Sequence, residues 1–115
     1  MITIRNMLEM KEYYVKEVNT YEFNDDVEFL CNIYVQANIK ANNITASDIN
    51  AWNIDSNDIN ARNIKAWNIR ANTISYFAVC FAYENIHCNS IKGRHTNSKH
   101  FVLYGKLVVK GRNKI

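Results

Sequence analysis

Isoleucine recurs every five residues at Ile39, Ile44, Ile49, Ile54, Ile59, Ile64, Ile69 and Ile74. A small residue follows two places later at Ala41, Ala46, Ala51, Ser56, Ala61, Ala66 and Ala71, and Tyr76 ends that series. Asn or Asp precedes each isoleucine up to Asn68, with Thr73 before the last, so residues 38–77 hold eight units of the form N/D-I-x-A-x. Such a period constrains the chain severely. On a helix, successive isoleucines would turn by about 140° and scatter around the circumference, so no single face could bury them. A flat strand fails too, because an odd period sends alternate isoleucines to opposite faces. What remains is a chain that bends once per unit. Isoleucine and the small residue share the inward face of a short strand, and Asn or Asp occupies the corner, where its side chain can bond to the local backbone. Stacked, such coils form a parallel β-solenoid.

The number of sides per coil follows from a second period. Residues 43–57 and 58–72 agree at eight of fifteen positions, among them Ile44/Ile59, Ala51/Ala66, Trp52/Trp67 and Asn57/Asn72. Three sides of five residues would place Trp52 beside Trp67, stack Asn42, Asn57 and Asn72 as an amide ladder, and alternate the charges of Lys40, Asp55 and Arg70. A four-sided coil of twenty residues remains the alternative, because duplication of a fifteen-residue block would leave the same signature.

A solenoid has to close its ends, and both flanks read as caps. In the N-terminal cap, residues 1–37, Asn6 followed by Glu9 has the character of a capping box, and Met7, Leu8, Met10, Tyr13 and Tyr14 follow at helical spacing. From Val15 the pattern becomes strand-like, with Asn24, Asp25 and Asp26 as a turn and Val27, Phe29, Cys31, Ile33 and Val35 on one face. After the repeat, Ser75 to Tyr83 is apolar on both alternating sets, which predicts burial on both sides or a homodimer through residues 76–83. In the C-terminal cap, residues 78–115, a β-hairpin of Phe101–Tyr104 and Lys106–Val109 about Gly105 is the expected cover. The whole is one mainly β domain.

Of 115 residues, 48% are hydrophobic and 22% charged, too apolar for a disordered chain. No run is long enough to span a membrane, and the N-terminus lacks the features of a secretory signal, so a cytoplasmic location is expected. The net charge of +3 conceals a polarity: residues 1–30 carry seven acids and three bases, 31–84 four of each, and 85–115 seven bases and no acid. The two poles would favour head-to-tail contacts, or an acidic partner at the C-terminal end.

The repeat resembles the pentapeptide-repeat proteins, whose right-handed, four-sided helices carry a small residue two places before a central leucine or phenylalanine. Here the small residue comes after the isoleucine, so neither handedness nor face number carries over. The chain is also similar to small uncharacterised proteins of phages and low-GC bacteria with runs of D/N-I-x-A-x, a tail like Ile74 to Tyr83, and Ser90-Ile91-Lys92-Gly93-Arg94 with Ser98-Lys99-His100-Phe101. That resemblance implies no established activity. A phage setting would make an inhibitor of a host defence system, of the anti-CRISPR kind, a specific form of a binding protein acting in the host cytoplasm.

The chemistry-bearing residues form no recognised catalytic motif. Cys31, Cys80 and Cys88 are irregularly spaced, and Cys80, Cys88, His87, His95 and His100 match no zinc-ligand pattern, so buried thiols and surface histidines are expected, with no metal and no cofactor. There is no phosphate loop, no paired carboxylates and no nucleophile with a positioned base, which argues against an enzyme. Trp52 and Trp67 follow alanine at an outward corner, with Arg62, Lys65 and Arg70 in the same region. Aromatic and basic groups so mixed suit a protein partner, and equally a nucleic acid. The other reading is that the tryptophans pack beneath a cap. The expected function is therefore a non-enzymatic binding scaffold for a protein. The alternative is a nucleic-acid-binding module that uses Lys92, Arg94, Lys99, Lys106, Lys110, Arg112 and Lys114 at the basic pole.

Overall fold

The five-residue unit closes into a three-sided coil. In the computed structural model, which describes residues 1–110, Ile44 pairs with Ile59 and Ile59 with Ile74 on a first face. Ile49 pairs with Ile64 on a second face, and Ile39, Ile54 and Ile69 run down a third. Each pairing is parallel and offset by one fifteen-residue coil, so the alternative of twenty residues per coil does not hold. The cross-section has three sides rather than the four of a pentapeptide-repeat helix.

Among the described residues there are fourteen strands, and all but β2 (Tyr14–Val15) stack on the three faces. The first face is made of β1 (Ile2–Ile4), β4 (Val27–Phe29), β7 (Asn43–Thr45), the starts of β10 (Asp58–Arg70) and β11 (Thr73–Cys88), and β12 (Ser90–Gly93). The second face holds β5 (Ile33–Tyr34), β8 (Asp48–Asn50), the middles of β10 and β11, and β13 (Lys99–Val102). On the third lie β3 (Thr20–Glu22), β6 (Asn38–Lys40), β9 (Asn53–Asp55), the ends of β10 and β11, and β14 (Leu107–Val109). β10 and β11 turn through two corners each, and so contribute to all three faces.

The interior is what the repeat prescribes. All eight repeat isoleucines are buried, and the small residues beside them are buried or, at Ala46, nearly so. Each isoleucine so buried contributes about 1.5–3 kcal/mol of transfer free energy. Ser56 stands where most units have alanine, and its hydroxyl donates to Asn42 O at 2.9 Å. At the corners the side chains bond from coil to coil: Asn68 donates to Asn53 Oδ1, Asn63 to Asp48 Oδ1, and Thr73 to Asp58 Oδ1. The expected amide ladder at Asn42, Asn57 and Asn72 is carried instead by the backbone, with Asn57 N–H donating to Asn42 O and Asn72 N–H to Asn57 O. The side-chain ladder runs through Asn53, Asn68 and Asn85, and the Asn72 column gains a side-chain bond only at its end, where Asn89 donates to Asn72 Oδ1.

The N-terminal helix forms as a 3₁₀ helix, Met7–Tyr13, with the Asn6 side chain accepting from Glu9 N–H. Met10 is buried beneath it, and Tyr13, Phe23 and Phe29 stack in series, closing that end of the core. β2 (Tyr14–Val15) runs antiparallel to β3. Among the described residues no helix is long and apolar enough to cross a membrane.

The C-terminal hairpin does not form. β13 and β14 do not pair with each other; both add in parallel to β11 and continue the solenoid. The physical reason is that β11 offers an open edge on every face, and Val102 and Val109 pack against the core as the next members of the columns of Ala82 and Cys88. The segment 76–83 is likewise a working coil. Tyr76, Cys80 and Ala82 face inward, whereas Phe77 and Val79 remain exposed, so burial on both sides is not observed. Tyr76 and Val79 stand opposite Ala61 and Asn63, which shows one extra residue at that corner, and a second enters between Ala82 and Asn85. The period thereby lengthens without moving the inward residues out of their columns.

Candidate functional site: an aromatic corner

The corner between the second and third faces carries four aromatic residues on successive coils: Trp52, Trp67, Tyr83 and Tyr104. Backbone bonds fix the stacking, with Trp67 N–H donating to Trp52 O at 2.6 Å and Tyr104 N–H to Tyr83 O at 2.8 Å. The Trp52 and Trp67 rings lie 5.9 Å apart at 30°, and Trp67 meets Tyr83 edge-on at 6.4 Å. Among the described residues no cap covers them: Trp52 is 41% exposed and Trp67 49%. The tryptophans therefore do not pack beneath the N-terminal helix, and the hairpin expected as the other cover does not form. They project because the corner residue after alanine has neither an inward nor an in-sheet position available.

Beside this corner, the outward column of the second face runs from Lys65 through Phe81 to Phe101. Phe81 packs 4.8 Å from both Tyr83 and Phe101, which joins the corner to the face as one aromatic surface. The basic residues expected near the tryptophans are spread around it. Lys65 lies on the second face with Nζ 5.9 Å from the Tyr83 ring centroid, and Arg62 occupies the opposite corner over Phe77 at 5.7 Å. Arg70 is on the third face, paired in register with Asp55 and His87. Lys65 and Arg70 thus flank Trp67, while Arg62 belongs to the far edge of the second face.

At the C-terminal pole, Lys92, Lys99, Lys106 and Lys110 are exposed on the last coil. Arg94 is not free in the same way. Its guanidinium reaches back over the first face and donates to Asn60 Oδ1, Ser75 Oγ and Ala61 O at 2.8–3.0 Å. Arg112 and Lys114 lie outside the described residues. Arg70, His87, Asn89 and Lys110 line a cleft of about 220 Å³ near this pole.

The cysteines and histidines do not converge. Cys80 is fully buried and its thiol is pushed up to about 12 by burial, so it stays protonated and is a poor nucleophile. His100 sits over it on the next rung and is joined through Nδ1 to the buried Tyr76 hydroxyl at 2.5 Å. His87 is outward and exposed while Cys88, next to it, is buried. His95 packs its ring on Phe77. Among the described residues no group of three His, Cys, Asp or Glu side chains could hold a metal ion.

Sequence reasoning located the tryptophan pair but missed Tyr83, Glu84 and Tyr104. The extra corner residues shift Tyr83 to sixteen positions after Trp67, and Tyr104 follows twenty-one after Tyr83, mostly because the connection between β12 and β13 is longer than the matching corner of β11. A fixed fifteen-residue period cannot align them. The available signal was weaker: an aromatic residue directly after the inward Ala82, as in Ala51-Trp52 and Ala66-Trp67. Compared with known proteins, the chain matches no protein-family model, no curated protein and no solved structure.

Proposed function

We propose that this protein is a non-enzymatic binding scaffold that engages a protein partner along its aromatic corner and the adjoining second face. The observation that carries this reading is the continuous run of Trp52, Trp67, Tyr83 and Tyr104 on a rigid edge, with both tryptophans more than two-fifths exposed. Large aromatic groups left in water on a rigid frame lose little side-chain entropy on docking, and buried tryptophan and tyrosine are the commonest anchors of protein interfaces. Lys65 and Arg70 on either side supply a polar rim.

Recovery of bound proteins from cell extract with the wild type and with the double variant Trp52→Ala/Trp67→Ala tests it. The partners retained by the wild type are expected to be lost by the variant, whose core is intact because neither side chain faces inward. Equal recovery would sink the corner as the docking site. A second copy docking through the outward residues of 76–83 is a form of the same reading. In that case light scattering would report a dimer that Phe77→Asp/Val79→Asp dissociates.

The second reading, nucleic-acid binding by the basic pole, is supported by Lys92, Lys99, Lys106 and Lys110 on one coil, and by the cleft where Lys110 meets Arg70 and His87. Phosphate contacts release counterions, so affinity would fall steeply with salt. Salt-insensitive binding, or none at low salt, would argue against it. The engagement of Arg94 with the first face removes one of its expected contacts.

A further inference from the structure

At the C-terminal end of the aromatic corner the surface opens into a cavity of about 260 Å³ lined by Trp67, Tyr83, Glu84 and Tyr104. Three of the four lining residues are aromatic and the fourth, Glu84, carries a carboxylate. Trp67 and Tyr83 stand at 72° to one another with their ring centroids 6.4 Å apart. Glu84 is oriented by Asn68, which donates to Oε1 at 3.0 Å. The Tyr104 backbone is anchored at this corner: its N–H donates to Tyr83 O, and Lys106 N–H donates to Asn85 Oδ1 at 3.0 Å. Gly105 lets that loop press on the Glu84 backbone, where a Cβ would collide with the Glu84 carbonyl oxygen.

Aromatic rings grouped beside one anionic residue attract a bulky, weakly hydrated cation. The Tyr83 ring already attracts one, since Lys65 Nζ lies 5.9 Å from its centroid. We propose that this cavity recognises a quaternary ammonium group, carried either by a trimethylated lysine of a protein or by a small choline-type molecule. The proposal rests on the reading of the corner as the binding surface, and supplies the chemistry of what it binds. A bare lysine ammonium is compact and strongly hydrated, so it gains less from the rings than a methylated one, whose charge is spread over methyl groups that contact them.

The test is calorimetric titration of the full chain with a trimethyllysine peptide, with choline, and with the neutral alcohol in which carbon replaces the choline nitrogen. Saturable binding of the cations is expected, with none of the neutral compound. Tighter binding of the peptide assigns a protein ligand, and tighter binding of choline a free one. Tyr104 is 80% exposed, so Tyr104→Ala leaves the fold intact. Tyr104→Ala or Glu84→Gln should each weaken binding roughly three- to ten-fold, while Lys65→Met should strengthen it by removing a like charge. Equal binding of the neutral compound, no binding of either cation, or indifference to both weakening variants would overturn the proposal. If the cations fail to bind while Trp52→Ala/Trp67→Ala still loses its partners, the cavity is wrong and the docking surface stands. If they bind while that variant keeps its partners, the reverse holds.

Discussion

Cys80 occupies the position where earlier units place isoleucine, in register with Ile64, and its burial carries a chemical consequence. The folded interior holds the thiol neutral, raising it from 9.0 to about 12. An unfolded chain releases that proton near pH 9, so between these values the unfolded state binds fewer protons than the folded one. Stability should therefore be insensitive to this group below pH 9 and decline as pH rises through the window, by as much as about 4 kcal/mol from Cys80 alone. Burial raises Cys88 and Tyr76 in the same direction, and they add to the slope. Denaturant unfolding at pH values below and inside the window measures this, and Cys80→Ala should flatten the decline. A slope unchanged in that variant would show that other groups carry it. The interior positions were legible at this scale because isoleucine and alanine repeat without interruption. Ala82 and Ile86 were not, since two extra corner residues break the period while leaving inward and outward alternation intact, and Cys80 and Cys88 were expected to be buried as thiols but not at an assigned place in the coil.

Among the elements, the C-terminal strands are the ones that local pattern does not place. Phe101 to Val109 has the local form of a hairpin, two apolar runs about a glycine. Strand pairing, however, is decided by which open edge is nearest, and β11 presents one on each face. Pairing offsets of twenty to twenty-one residues, as between Cys80 and His100 or Ile86 and Leu107, leave no local trace. Gly105 has a different role from a hairpin turn: it seats the loop after β13 against the Glu84 carbonyl. Gly105→Ala must lift that loop or shift β11, at a cost of about 1–3 kcal/mol. The expected outcome is a lower melting temperature, together with faster amide exchange at Ile86, whose N–H donates to Lys106 O, and at Lys106, whose N–H donates to Asn85. Unaltered exchange at those two amides would mean that the loop is not seated by close approach. The N-terminal helix was legible for the opposite reason: the Asn6 to Glu9 cap is contained within four residues and needs no distant partner.

For the molecule as a whole, the three-sided coil makes length and phase separately adjustable. Every unit from Ile39 to Ala71 presents an isoleucine and a small residue to the core, so adding one unit preserves the interior but rotates everything beyond it by one face. Duplicating residues 53–57 in place should therefore yield a folded protein in which Trp67 has left the Trp52 corner. Duplicating residues 43–57 should restore the phase, add a third tryptophan to the stack, and lengthen the solenoid by about 4.8 Å, the spacing of one strand. Near-ultraviolet circular dichroism reads the packing of Trp52 against Trp67, now 5.9 Å apart. The signal should be lost with five added residues and strengthened with fifteen, while far-ultraviolet spectra report an intact β fold in both. Partner recovery should follow the same order, because the proposed interface needs the aromatic residues on one edge. If the five-residue insertion kept both the tryptophan signal and the partner, the residues doing the binding would lie entirely on one side of the insertion, and the continuity of the corner would be irrelevant to function. If it unfolded the chain, the coil-to-coil bonds of Asn53, Asn68 and their neighbours would matter more to stability than the isoleucine columns, and the interior would not be the element that makes the repeat extensible.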